Sequence, residues 1–486
     1  MPQRLLALTM LLVLCISEGC THFQSFRPLP AQAPDPICHE SSQQSCASAP
    51  LIETSNYLLG FVEFDDLGWF WDRKQKQAVV NEIRKVTQNQ DVIIVVFAHG
   101  WNHDSSAADS NVLNFQRVLK RLALLEDEAA HVRCLTPRRV VGVYLGWRGK
   151  AFKGAGHFPA TLYNWTSFFS RKATAHRVGA EDAAELLSDL EAVRTKANSR
   201  PGNDQHASRM VIIGHSFGTA VVYGAVSRIL AERRLHLEDG DVQAAAFGDL
   251  VVLVNPAIEA SLLFPFAQAT ESYKAADKGS TFQPILAVFA SQGDGPNRFL
   301  FPIARNLSTL FKKHRRDQPP GFPEPPHFQG KAARTAAGQF EPTISFLLCP
   351  ADETRSGESF RCTRDNVKIA TPAASEEEEL KWRQRVDQQL EKLRLARPMT
   401  TPFRNGLRDD LPLSTSTLFR LRPGPMTPYP IITVDDRLIP NHNAIFTDFF
   451  APFLLDFVSV WAERRPSLCP GVQPANVPGS TQGVKP

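Results

Sequence analysis

From Tyr57 onward, short runs of apolar residues alternate with longer stretches in which apolar positions recur every three or four residues. Runs of four to eight rich in Val, Ile and Leu read as strands, and the longer amphipathic stretches read as helices. Strands are predicted within 57–64, 91–101, 138–147, 209–218, 249–257, 284–291 and 429–436. Helices are predicted near 74–88, over 111–129, around 173–196, after Gly218 and over 444–465. The strand runs are almost continuously apolar, as parallel strands buried on both faces require. Strand and helix alternating in this way imply an α/β fold with a doubly wound, mostly parallel sheet.

The alternation is interrupted between Asp294 and Tyr429. The intervening 295–428 stretch holds a Pro-rich piece, QPPGFPEPP at 318–326, and a charged run at 375–397 with Leu and Val at helical intervals. It reads as a long insertion before the last strand, partly disordered, with a lid over a site as the alternative. The core domain is therefore expected over 57–294 and 429–465. A Pro/Ser-rich linker is expected at 21–56 and a flexible tail at 466–486.

At the amino end, one Arg precedes an apolar stretch from Leu5 to Ile16, shorter than the roughly 20 residues that span a bilayer. Residues 1–20 read as an export signal, which implies a bacterial periplasm or cell-envelope location. Ser17-Glu18-Gly19-Cys20 resembles a lipoprotein cleavage box, with Glu18 and Ser17 departing from it. Lipidation of Cys20, which would attach the chain to a membrane, stands beside simple cleavage and a retained anchor. Six further cysteines remain: Cys38, Cys46, Cys134, Cys349, Cys362 and Cys469. In an exported chain the short separations make Cys38–Cys46 and Cys349–Cys362 the expected disulfides.

Charge narrows the function classes. With 54 basic against 50 acidic residues the net charge is +4, too small and too scattered for a nucleic-acid surface. No cysteine or histidine spacing reads as a zinc site, and nothing in the sequence calls for a metal or a cofactor.

The candidate chemistry starts at Gly214-His215-Ser216-Phe217-Gly218, placed between an apolar strand and a helical pattern. Glycines on both sides of a serine at a strand-to-helix corner let the backbone reverse sharply and present the hydroxyl at the strand end. A hydroxyl needs an imidazole to take its proton. His442 follows the last strand and precedes the last helix, whereas His215 is read as a packing or pocket residue and His314 and His327 fall in the insertion. The imidazole in turn needs a carboxylate to hold its tautomer. Asp294, in a glycine-flanked loop after the penultimate strand, is preferred; Glu259 is the substitute, ahead of Asp435 and Asp436. Developing negative charge needs fixed donors, assigned to the backbone N–H groups of Trp101, beside His99-Gly100, and of Phe217.

Together VVFAHGWNHD (95–104), VIIGHSFGTA (211–220), FASQGDGPNR (289–298) and IPNHNAIF (439–446) resemble the α/β-hydrolase superfamily in its lipase and esterase branch. The resemblance covers about 57–294 and 429–465, and the order Ser, Asp, His follows that superfamily's order. It implies a sheet of α/β-hydrolase type, an acyl-enzyme on Ser216 and a small-molecule or lipid ester as substrate. The long interval between acid and base departs from the pattern. Acyl transfer or thioester hydrolysis with the same residues is the enzymatic alternative, and a non-catalytic exported binding or scaffold protein is the other. Apolar residues after Glu259 and Asp294 suit an acyl pocket or a helix core. Arg148, at a strand end beside Trp147, either orients a substrate carboxylate or pairs with a surface acid.

Overall fold

In a computed structural model, the structure describes residues 25–29, 36–40, 46–133, 135–149, 160–200, 207–237, 241–266, 284–309, 328–350, 362, 410–413, 416–421 and 427–462. Their centre is a twelve-stranded sheet: β1 (Ile37–His39), β2 (Leu51–Glu53), β3 (Tyr57–Glu63), β4 (Val92–Ala98), β5 (Arg139–Gly146), β6 (Arg209–His215), β7 (Leu250–Val254), β8 (Leu286–Ser291), β9 (Phe346–Pro350), β10 (Asp410–Leu413), β11 (Ser416–Arg420) and β12 (Ile431–Val434). Across the sheet they run β1-β2-β3-β5-β4-β6-β7-β8-β12-β9-β11-β10. Every pairing from β3 to β9 is parallel, and antiparallel pairs occur at β2–β3, β9–β11 and β11–β10. This is the doubly wound α/β-hydrolase topology, with an antiparallel insertion ahead of the last strand.

Parallel strands need covering helices on both faces, and side-chain alternation sorts the core accordingly. On β4, Ile94 and Val96 face a cluster built with α1 (Arg73–Asn89), α3 (Ala160–Ala180), α4 (Asp182–Asn198) and α5 (Gly218–Arg233). Ile93, Val95 and Phe97 face the opposite cluster, built with Phe115 and Leu119 of α2 (Ser110–Arg133) and Phe450, Phe453 and Phe457 of the last helix, Phe450–Ala462. The strand order reverses between β4 and β6, so the crevice beyond their carboxyl ends is the topological switch point, where open α/β sheets bind ligands.

Several expectations need correction. The 21–56 stretch, expected as a linker, adds β1 and β2 to the sheet. It also buries Arg27 over the Phe61 ring at 3.8 Å, with its backbone N–H on Glu63. The apolar Leu51-Ile52 pair and the Cys38–Cys46 disulfide supply order that the proline content concealed. Within 295–428, β9 inserts beside β12, and the residues from Phe328 to Phe340 pack on the loop after β7 through backbone bonds from Ala337 to Ile258 and from Ala260 to Thr335. Cys349–Cys362 is bonded as expected. The helix predicted over 444–465 starts only at Phe450, because the Asn441 side chain accepts from the Asn443 and Ala444 N–H groups and holds the preceding residues in turns.

The expected association with a membrane is also corrected: among the described residues no helix is long and apolar enough to cross one. The leader with Cys20, the charged run at 375–397, the tail at 466–486, His314, His327, Cys134 and Cys469 lie outside the described residues.

Candidate active site

β6 delivers His215 to the switch point, and Ser216 then takes φ of 54°, in the left-handed region that a residue with a side chain seldom enters. The corner is held by backbone bonds. Ser216 N–H donates to Val254 O at 3.1 Å, and its carbonyl accepts from Thr219 N at 3.1 Å, from Ala257 N at 3.3 Å and from the Thr219 hydroxyl. Two flanking positions must lack a side chain. A Cβ on Gly218 would sit 2.0 Å from Ala98 O, and one on Gly214 would sit 2.8 Å from Gly218 O. The glycine spacing legible in the sequence is thus a packing requirement at the crossing of β4, β6 and α5.

Chain segments distant in sequence converge on the hydroxyl. His442, in the turns after β12, places Nε2 2.6 Å from Ser216 Oγ and Nδ1 2.8 Å from Asp294 Oδ1. With the Nδ1 proton on the carboxylate side, Nε2 is the acceptor for the serine hydroxyl. Asp294 follows β8 and is fully buried, and a buried carboxylate must be hydrogen-bonded to remain charged. It accepts the Asn297 backbone N–H at 3.0 Å on Oδ1 and the Asn297 amide at 2.8 Å on Oδ2.

The other acids weighed from sequence are committed elsewhere. Glu259 accepts from Lys172 at 2.9 Å and pairs with Arg305 at 2.9 Å, inside a cluster where burial pushes the Lys172 ammonium down to about 8. Asp435 accepts from Arg437 Nε at 2.7 Å, and both ring nitrogens of His442 are occupied, Nδ1 by Asp294 and Nε2 by Ser216. Arg148 pairs with Asp66 at 2.6 Å, as the plainer of its two sequence readings expects.

The loop after β4 closes the other side. A Cβ on Gly100 would lie 2.8 Å from Ser216 Cβ and 3.1 Å from His215 Nδ1, so only glycine lets this backbone approach the corner. Trp101 follows it, and Asn102 turns the chain with φ of 66° while donating its N–H to Gly149 O at 3.0 Å. Phe217, the residue after the serine, is buried at the amino end of α5, where backbone N–H groups are directed out of the helix.

His99 does not join the serine. Its Nε2 accepts the Trp147 N–H at 3.2 Å, its Nδ1–H donates to Gly100 O at 2.9 Å, and its ring stacks on Trp147 with centroids 5.4 Å apart. Burial lowers its pKa from 6.5 to about 4, so it supports the loop as a neutral ring. His215, read from sequence as a packing residue, is buried and carries a hydrogen bond from Nε2 to His442 O at 2.8 Å. Burial, and then the neighbouring His442, push its pKa well below 6.5.

Two residues escaped the sequence reading. Asn255, with φ of 44° at the end of β7, donates to His442 O at 3.0 Å. Asn297 holds Asp294 and also donates to Asn255 O at 2.9 Å. The available signals were an Asn-Pro directly after a buried strand and a Pro-Asn three residues beyond an acid. Among the described residues no group of His, Cys, Asp and Glu is arranged to hold a metal ion. No family model, no curated protein and no solved structure matches this chain.

Proposed function

We propose that the chain is an exported serine hydrolase that cleaves carboxylic esters. The observation that carries this reading is the continuous hydrogen-bonded line from Ser216 Oγ through His442 to the buried Asp294, at 2.6 and 2.8 Å. His442 Nε2 takes the hydroxyl proton as Ser216 Oγ attacks the ester carbonyl. Asp294 stabilises the resulting imidazolium and keeps it oriented.

The tetrahedral oxyanion would lie between the Trp101 and Phe217 N–H groups, which Gly100 allows to approach the corner. Fixed donors of this kind lower the barrier because their dipoles need no reorganisation as charge develops. Collapse expels the alcohol, protonated by His442, and leaves an acyl-Ser216. Water, deprotonated by the same imidazole, then releases the acid and restores the hydroxyl. The expected substrate is a small-molecule or lipid ester, hydrolysed outside the cytoplasm in the periplasm or cell envelope.

A fluorophosphonate probe tests the assignment directly. Wild-type protein should be labelled at Ser216 and hydrolyse nitrophenyl esters, and Ser216→Ala should do neither. Folded wild-type protein that reacts with neither the probe nor a chain-length series of esters would remove the proposal.

A further inference from the structure

We infer that His215 and Asn255 are positioning residues that set the catalytic imidazole by gripping the backbone carbonyl of His442, an assignment that rests on the function proposed above. His442 sits in a stretch of turns between β12 and the last helix, where no ladder or helical hydrogen bond orients it. Its carbonyl oxygen instead receives two side-chain donors, His215 Nε2 at 2.8 Å and Asn255 Nδ2 at 3.0 Å. One comes from the last residue of β6, beside the nucleophile itself, and the other from the turn after β7.

Both donors are themselves oriented. Asn255 Oδ1 accepts the Ser291 N–H at 2.9 Å, which settles which end of the amide is the donor toward His442. Its left-handed backbone is one that Asn tolerates better than most residues. Asn297 then links Asn255 O to the Asp294 carboxylate, so the turns carrying nucleophile, base and acid form one connected network.

His215 can only donate in this position. Its Nε2 proton faces a carbonyl, while Nδ1 is buried with no hydrogen-bond partner and lies against Gly100. A second proton on Nδ1 would have no acceptor there. Adjacent to Ser216 in the chain and bonded to His442 in space, the ring therefore ties the distance between nucleophile and base to the geometry of a single residue.

The test compares His215→Gln, whose amide can reach the Nε2 position, with His215→Leu, which cannot donate. Ester turnover and the rate of fluorophosphonate labelling are measured on protein shown folded by circular dichroism. His215→Leu should lower kcat and the labelling rate by about 100-fold, the scale expected for a misplacement near 1 Å, with KM within about two-fold. His215→Gln should recover about ten-fold or more of that loss.

A purely structural role would lower the melting temperature of both variants without separating their kcat values. The inference is overturned if Leu and Gln are equally slow, or if Leu retains wild-type kcat and labelling. Should His215→Leu fail to fold, Asn255→Asp carries the same comparison: it keeps the acceptor for Ser291 N–H and the small side chain, loses the donor to His442 O, and should slow kcat about ten-fold or more. Unchanged kcat there also overturns the inference. Wild-type protein that neither labels nor turns over ester would refute the underlying function instead, so the two failures are distinguishable.

Discussion

Protonating His99 should unlock the loop that carries Gly100 and Trp101. The ring is fully buried between Trp147 and Tyr144, and its Nε2 is already occupied as an acceptor of the Trp147 N–H. A proton on Nε2 would place two donors face to face. The folded-state pKa of about 4 against 6.5 for the free side chain means that the unfolded chain binds more protons through this window. Stability from this group is therefore full above pH 6.5 and is lost as pH falls toward 4. At about 1.4 kcal/mol per pH unit the loss is on the order of 3 kcal/mol.

The charged and titratable neighbours of this ring are His103, Asp104 and Asp109, together with His215 and the stacked Tyr144, whose phenol is pushed well above 10 by burial. Asp109 is held well below the usual carboxylate range: burial opposes this, but the His103 hydrogen bond at 2.9 Å and the Asn111 N–H overcome it. It stays charged across the window and adds no slope of its own. Urea unfolding of wild type and His99→Asn at pH 7.5, 6.5, 5.5 and 4.5 isolates the His99 contribution as the difference between the two curves, because the shift of the buried His215 arises mainly from its own burial and from His442. The variant should be less stable at pH 7.5 by about 2 to 4 kcal/mol, from lost ring packing and an unpaired Trp147 N–H. That deficit should shrink by on the order of 3 kcal/mol toward pH 4.5. Parallel stability curves would refute the reasoning.

Three further outcomes follow from the geometry. Asp294→Asn should lower kcat on nitrophenyl esters about 1,000- to 10,000-fold with little change in KM, because the amide favours the wrong His442 tautomer; a loss below ten-fold would exclude Asp294 as the partner. Gly100→Ala forces a methyl to within 2.8 Å of Ser216 Cβ, so kcat should fall about 100-fold and the melting temperature should drop, and near-normal kinetics would show that this approach is dispensable. Replacing both Cys349 and Cys362 by Ser opens a loop of sequence separation 13 and should cost about 2 to 3 kcal/mol in denaturant melts, while fluorophosphonate labelling at 25 °C persists because the bridge lies toward the β9–β11 edge.

Much of this molecule is written in local pattern. Continuous Val and Ile runs define the central strands, buried at every position of β3, β4 and β6, since these positions face apolar neighbours in any arrangement that buries both faces. The corner at Ser216 is equally local, because the two glycines answer backbone crowding within five residues. The positions of Asp294 and His442 are legible as strand-end loops of the right composition, and the two disulfides as short cysteine separations in a chain whose sequence reads as exported.

What the chain could not announce are interactions whose partners lie far away in sequence. Nothing near Glu259 forecasts that Lys172 and Arg305 claim it, leaving Asp294 to His442. Nothing near Asn255 or His215 points to a carbonyl at position 442. The 21–56 stretch looked like linker because five prolines and six serines are spread through it, yet the edge of β3 supplies a template on which a short segment can pair. A residue's own chemistry sets what it can donate, accept or bury; the closing of the sheet decides which distant group stands opposite it.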